Sequence, residues 1–348
     1  MRQRCFRGIV PPHMLIAICQ NGTTEERGRA LRTLVLSERL RERRVVLSLL
    51  PGAAPVGQKR RVVYDAKHKT TLPGTLVRSE GDPPKKDAAV NEAYDGAGST
   101  YDLYWKVYQR NSIDGRGMRL DSSVHYAVGY DNAFWNGNQM VYGDGDGKLF
   151  NRFTISVDVI GHELTHGVTA HEANLDYKDQ PGALNESFSD VFGSLVKQRT
   201  LKQTADKADW LIGAGLFTPK VQGVALRSMR APGTAYDDPV LGKDPQPADM
   251  KGYVTTTEDD GGVHINSGIP NRAFYLTAAA LGGFAWEKAG KIWYTALTKL
   301  LRKDSDFGAA ARLTRTAASD IYGKGSAEEK AVQGAWRGVG VEETTTLA

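Results

Sequence analysis

His162-Glu163-Leu164-Thr165-His166 sets two imidazoles four residues apart with a carboxylate beside the first. On a helix this spacing puts both rings on one face, one turn apart, within reach of a single zinc ion. Glu163 lies at the edge of that face, where it can take a proton from water, so the stretch supplies two metal ligands and the general base of a zinc hydrolase. A catalytic zinc takes a third protein ligand and keeps its fourth position open. Asn185-Glu186-Ser187-Phe188-Ser189-Asp190 offers Glu186 as that ligand, at the start of another helical segment. Asp190, one turn further on, can accept a hydrogen bond from the free nitrogen of a ligand imidazole, fixing its tautomer and raising its basicity.

The elements around these residues must bury them. Val157, Val159 and Ile160 lead into the motif and Val168 follows it, which predicts a buried helix, where unpaired His and Glu side chains would be costly. With 348 residues the chain can build two or three cores. A pI of about 9.0 hints at nucleic acid, but residues 1–61 hold thirteen Lys and Arg against four Glu, a net of +9, which leaves −4 for 62–348. The basic excess belongs to the N-terminal leader, and the nearest acidic surface is the rest of the same chain, so neither nucleic acid nor a membrane is the expected partner. Cys5 and Cys19 both lie in the leader, so no disulfide framework holds the remainder together. Pro11-Pro12-His13 interrupts the apolar run after Arg2, Arg4 and Arg7, and no conventional signal peptide is expected. The protein would then be cytoplasmic or exported by a non-classical route. There is also no 18-residue apolar run to span a membrane.

Along the chain, Thr23 with Glu26 makes a capping box ahead of a basic amphipathic helix over 23–44. Val45 to Leu50 is strand-like, and Pro51 to Gly57 reads as a linker open to proteolysis. From Val62 to about Phe153, short β-branched and aromatic runs predict an antiparallel sheet with one helix near 87–110. Helical patterns follow at 185–203, 268–282, 287–302 and 306–321. The expected fold is α+β: a leader and linker (1–57), a mainly antiparallel β-rich domain (58–155) and a mainly helical domain (156–348), with the zinc helix at their junction.

Together these residues resemble the thermolysin-like zinc metalloproteases over nearly all of 62–341. The resemblance is carried by Asn132-Ala133-Phe134-Trp135, Gln139 to Gly145, Gly182-Ala183-Leu184-Asn185-Glu186 and Gly261-Gly262-Val263-His264-Ile265-Asn266. Pro11-Pro12-His13-Met14-Leu15 is similar to the short propeptide signature of protealysin-type precursors. The resemblance implies a self-inhibited endopeptidase acting on proteins and peptides, with one zinc on His162, His166 and Glu186 and with Glu163 as general base. It also implies that His264 and Tyr177 donate hydrogen bonds to the developing oxyanion, with Asp259 orienting His264. Asn132, the carbonyl of Ala133 and Arg227 would hold the peptide main chain. Phe150, Phe153, Val159 and Leu226 would line an apolar pocket, so cleavage would fall on the amino side of a bulky hydrophobic residue. The leader would be a propeptide acting in cis on a monomeric enzyme.

The departures concern calcium. Lys197, Leu211 and Ala214 stand where relatives with a double calcium site carry acids, Val224 replaces another, and only Asp158 and Asp209 remain. Calcium dependence is therefore not expected there, and the Lys197 ammonium would pair with Asp158 or Asp190. Asp144-Gly145-Asp146-Gly147 is read as a turn, since Ile155 occupies the twelfth loop position of an EF-hand. Two rival readings are a catalytically silent zinc protein with a basic interaction module and a serine hydrolase. Glu163, His264 and Tyr177 argue against the first, and the chain has no Gly-x-Ser-x-Gly elbow for the second.

Overall fold

The computed structural model describes residues 8–43 and 55–343, with the backbone alone over 39–43. Cys5, the strand expected at 45–50 and linker residues 51–54 lie outside the described residues. The proline pair that breaks the leader's apolar run turns out to start a helix. Pro12 opens α1 (Pro12–Asn21), a position where the missing N–H costs nothing and the fixed φ already suits the helix. Met14, Leu15 and Ile18 are its buried face. At the capping box, the Thr23 N–H and hydroxyl donate to the Glu26 carboxylate at 2.7 and 2.9 Å, and α2 (Thr24–Arg43) follows.

Five strands form the main sheet: β1 (Arg61–Asp65), β2 (Thr75–Ser79), β3 (Leu120–Val124), β4 (Ala133–Trp135) and β5 (Gln139–Tyr142), in the order β2-β1-β3-β5-β4. The expected antiparallel sheet is in fact mixed. β1–β2 and β4–β5 pair antiparallel, while β1–β3 and β3–β5 run parallel. A parallel pair needs a crossover, and α3 (Ala88–Tyr108), capped by Asp87 Oδ1 accepting from the Ala89 N–H at 2.9 Å, carries the chain from β2 to β3. β4 is left as an edge with open backbone groups, a template for an added strand. The leader takes it, as Gly8 bridges Phe134 and the Ile9 N–H donates to the Ala133 carbonyl at 3.1 Å.

The helical part comprises α4 (Val157–His171), α5 (Asp179–Leu201), α6 (Asp259–Asn266), α7 (Gly268–Leu281), α8 (Ala289–Thr295), which runs on into a π-turn at 296–300, α9 (Phe307–Tyr322) and α10 (Ala327–Gly338). Helix α5 starts six residues before its expected beginning at 185. Pro181 and Gly182 disguise its first turn, where proline is tolerated. Two glycines bring α4 and α5 together: a Cβ on Gly193 would lie 2.4 Å from the Asp158 carbonyl, and one on Gly161 would lie 3.0 Å from the Gly193 Cα. Val159, Leu164, Val168, Phe188 and Phe192 are fully or almost fully buried around this contact. At about 1.5–3 kcal/mol each, they offset the cost of burying the polar ligand candidates among them. Among the described residues no helix is long and apolar enough to cross a membrane.

Candidate active site

Helix α4 presents His162 and His166 one turn apart, with ring centroids 4.7 Å apart and edge to face. Their Nε2 atoms lie 3.1 Å from each other, and the two Glu186 oxygens, reaching across from α5, lie 3.4 Å from His162 Nε2 and from His166 Nε2. The opposite ring nitrogens are tied to acceptors. His162 Nδ1 donates to Asp190 Oδ1 at 2.7 Å, and His166 Nδ1 donates to Asn185 Oδ1 and Ser189 Oγ, both at 2.9 Å. Both Nε2 lone pairs therefore face a carboxylate in a dry pocket. Only extra protons or a cation reconcile three such acceptors, whose ligand atoms all lie within 4.8 Å of one another. Without an ion the site must hold protons: burial pushes His162 down, yet Asp190 and Glu186 outweigh it and raise the imidazole to about 9. Two neutral imidazoles and one carboxylate fit a divalent metal, and N and O donors in this number suit zinc.

Behind the ligands, Asp190 receives a bidentate Arg227, Nε to Oδ2 and Nη2 to Oδ1 at 2.8 Å each, and the Asn271 amide at 2.8 Å. Burial alone would raise the Asp190 carboxyl, but Arg227 and His162 hold it well below the usual carboxylate range. Asn185, Ser189 and Asn271 were not singled out by the sequence reading. Asn185 and Ser189 sit within three residues of Glu186, and that proximity was the available signal.

His264 arrives on a sharply kinked α6. Asp259, Asp260, Gly261 and Gly262 all have positive φ (52°, 52°, 89° and 73°), and a Cβ on Gly261 would lie 2.2 Å from Asp179 Oδ1. This left-handed turn folds Asp259 back, so that its carboxylate accepts from the His264 backbone N–H at 2.9 Å and from Nδ1 at 2.6 Å. His264 Nε2 then lies 3.2 Å from the Tyr177 hydroxyl and 3.5 Å from Glu186 Oε2, and the same hydroxyl donates a very short hydrogen bond to Glu186 Oε1. Burial disfavours charge on His264, but Asp259 and Glu186 raise its pKa overall. Glu163 is buried against the edge strand, with Oε2 accepting from the Trp135 backbone N–H at 2.9 Å.

Residues Asn132, Ala133 and Arg227 converge on one stretch of main chain, that of the leader. Asn132 Oδ1 accepts from the Val10 N–H at 2.9 Å while its Nδ2 donates to the Val10 carbonyl at 3.2 Å, and Arg227 Nη1 donates to the Ile9 carbonyl at 3.2 Å. Ile9 and Val10 are buried, as are Phe150, Phe153, Val159 and Leu226. His13 follows beside Tyr236, with Nε2 3.2 Å from the hydroxyl, and burial pushes its pKa down to about 4.

Away from the cleft, Lys197 is held by Asp158 at 2.9 Å and by Asp209 at 2.8 Å, and it donates to the Leu211 carbonyl. Of the two partners expected for it, Asp158 is the one it meets. Asp190 is already taken by Arg227 and His162.

The chain's similarities run its whole length. The profile of the thermolysin metallopeptidase catalytic domain matches residues 56–170, and that of the thermolysin metallopeptidase alpha-helical domain matches 173–341. An extracellular metalloprotease of Pectobacterium carotovorum subsp. carotovorum is 53% identical over 98% of this chain and 98% of its own length. Protease PrtS of Photorhabdus sp. (strain Az29) is 49% identical over 97% and 92%. Among solved structures, the precursor of protealysin, a metalloproteinase from Serratia proteamaculans, superposes with a TM-score of 0.89 at 56% identity, covering 96% of this chain and 99% of that one. With both domain profiles matched in order and the His-His-Glu cluster at the contact of α4 and α5, the chain belongs to the thermolysin metallopeptidase family.

Proposed function

We propose that this metalloprotease is a zinc-dependent neutral endopeptidase that cleaves on the amino side of bulky hydrophobic residues and is made as a precursor inhibited by its own leader. The observation that carries the reading is the convergence of His162, His166 and Glu186 beside a cleft whose main-chain contacts are already engaged by a peptide segment. A zinc ion on those three residues would supply Lewis-acid polarisation of a peptide carbonyl and lower the pKa of water. Glu163 would take the proton of the attacking water. His264 and Tyr177 are the donors for the oxyanion, each contributing about 2–4 kcal/mol when pre-positioned, with Asp259 and Asp190 as positioning residues.

A substrate would bind as an added strand on β4, its main chain held by Asn132, the Ala133 carbonyl and Arg227. Phe150, Val159 and Leu226 would line an apolar pocket for the side chain after the cleaved bond. The leader's contacts at residues 8–10 use the same groups, which supports a propeptide acting in cis. The working division is leader and linker 1–57, β-rich part 58–155 and helical part 156–348, with proteins or peptides as substrates and the monomer as the unit. Calcium is not part of this reading, because Lys197 supplies positive charge between Asp158 and Asp209.

Casein and short peptides carrying Leu or Phe should be cut by protein that has lost its leader, and a zinc chelator should stop the reaction. Full-length protein with an uncleavable linker should be the slower enzyme. Hydrolysis that survives complete zinc removal would refute the mechanism, and equal rates with and without the leader would refute inhibition in cis.

A further inference from the structure

Helix α2 of the leader covers a face of the body beside the peptide-holding strand. Leu36 packs on the buried cluster of Tyr126, Tyr130, Phe134 and Val141. The Ser37 and Tyr130 hydroxyls share a hydrogen bond at 3.2 Å, and the Asp131 backbone N–H donates to Thr33 Oγ1 at 3.1 Å. Within this contact Asp131 is 4% exposed and its Oδ1 has no hydrogen-bond partner. Buried polar atoms are nearly always paired, and an ionised carboxylate left without a donor carries a desolvation cost that a bound proton removes.

The charged neighbours leave that cost in place. Asp146, in the turn after β5, repels a charge on Asp131, and its own Oδ1 is committed to the backbone N–H groups of Lys148, Leu149 and Phe150 at 2.9, 2.7 and 2.8 Å. Lys148 is paired with Glu25 of α2. Arg29 and Arg32 of α2 attract the carboxylate, but Arg29 also lies 3.9 Å from Glu25. Burial first, then Asp146, pushes the Asp131 carboxyl up to about 7, against the two arginines. Asp131 meets α2 through Thr33, Arg29 and Arg32, so the bound proton is assigned to the docked state of the leader.

We propose that docking of the leader traps a proton on Asp131, so that the precursor is held more firmly in mildly acidic solution and its leader loosens as the pH rises through neutrality. The sign follows from linkage: a carboxyl near 3.8 when free and about 7 when docked favours docking most strongly in acid, and that advantage shrinks about tenfold per pH unit between the two values and is gone above the docked one. His13, also buried by docking, works in the opposite sense: about 4 when docked and near 6.5 when free, it strengthens docking as the pH rises to about 6.5 and offsets part of the Asp131 effect. The proposal rests on residues 8–43 being a docked leader and not on catalysis.

The test is amide hydrogen exchange across residues 24–38 of zinc-loaded, full-length Glu163→Gln protein, which is blocked from processing itself, at pH 6 and pH 8 after correction for intrinsic rates. Protection should fall about two- to threefold between the two, the roughly tenfold loss from Asp131 being offset about fourfold by His13, and adding Asp131→Asn should remove that fall. Should Asp131→Asn fail to fold, Arg29→Gln with Arg32→Gln leaves the body untouched and should move the loss of protection to higher pH. The proposal is overturned by equal protection at both pH values, by the same fall in the protein carrying Asp131→Asn, or by an unmoved midpoint in the double arginine variant. Because exchange needs no turnover, each result can be read whether or not the protein proves to be a protease.

Discussion

Arg227 and Asp190 form a buried ion pair in which two guanidinium nitrogens each lie 2.8 Å from a carboxylate oxygen. The arginine's remaining nitrogen holds the Ile9 carbonyl, and the aspartate holds His162 Nδ1. One pair thus ties the peptide in the cleft to a metal-ligand candidate. Arg227→Met would leave Asp190 buried without its counter-charge and should cost about 3–5 kcal/mol of stability. Urea denaturation of the full-length protein measures this, and a loss below about 1 kcal/mol would show that Asn271 and His162 suffice to satisfy the carboxylate.

Replacing Glu163 with Gln removes the proton acceptor and leaves His162, His166 and Glu186 in place. Zinc should stay bound at one equivalent while peptide hydrolysis falls by at least about 10²–10⁴-fold. Normal turnover at matched zinc content would remove Glu163 from the role of base.

Lys197 predicts a protein indifferent to calcium at this position. With zinc kept saturated, selective calcium chelation should leave Tm unchanged, and a drop of more than about 5 °C would point to a calcium site elsewhere in the chain. Lys197→Met strands the fully buried Asp158 and should destabilise the protein by about 3–5 kcal/mol.

His125 predicts a loss of stability in alkali. Its Nδ1 donates to Asp144 and its Nε2 to Asp87, each at 2.8 Å. The hydrogen bond to Asp144 raises the imidazole to about 9, burial opposes, and Asp87 adds to the rise. A histidine raised on folding adds stability that is complete below its unfolded pKa, near 6.5, and is lost as the pH climbs through about 9. Denaturation midpoints should therefore fall between pH 7 and pH 10 by an amount equivalent to about 2–3 kcal/mol. His125→Asn should flatten that part of the profile, and an unchanged slope in the variant would assign the loss to other groups.

What the sequence determined by itself is local chemistry and local periodicity. The spacing of His162 and His166, Glu186 with Asp190 one turn on, and the Thr23–Glu26 box all act within a few residues, where helix geometry alone decides which groups meet. The same kind of reading passed over α10, although Ser326 and Glu329 cap it, with Ser326 Oγ accepting from the Glu329 N–H at 3.2 Å and Glu329 Oε2 accepting from the Gly325 N–H. It also passed over α1, where a proline start looks like an interruption. The tertiary structure alone decided the contacts between residues far apart in the chain. Those are the mixed sheet, Arg227 on Asp190, Lys197 on Asp158 and Asp209, and the leader strand along Ala133. Each depends on how closely two elements approach, as α4 and α5 do where side chains are absent at Gly161 and Gly193. Residue periodicity carries no term for such distances, so a single chain read in order could name the groups but not pair them.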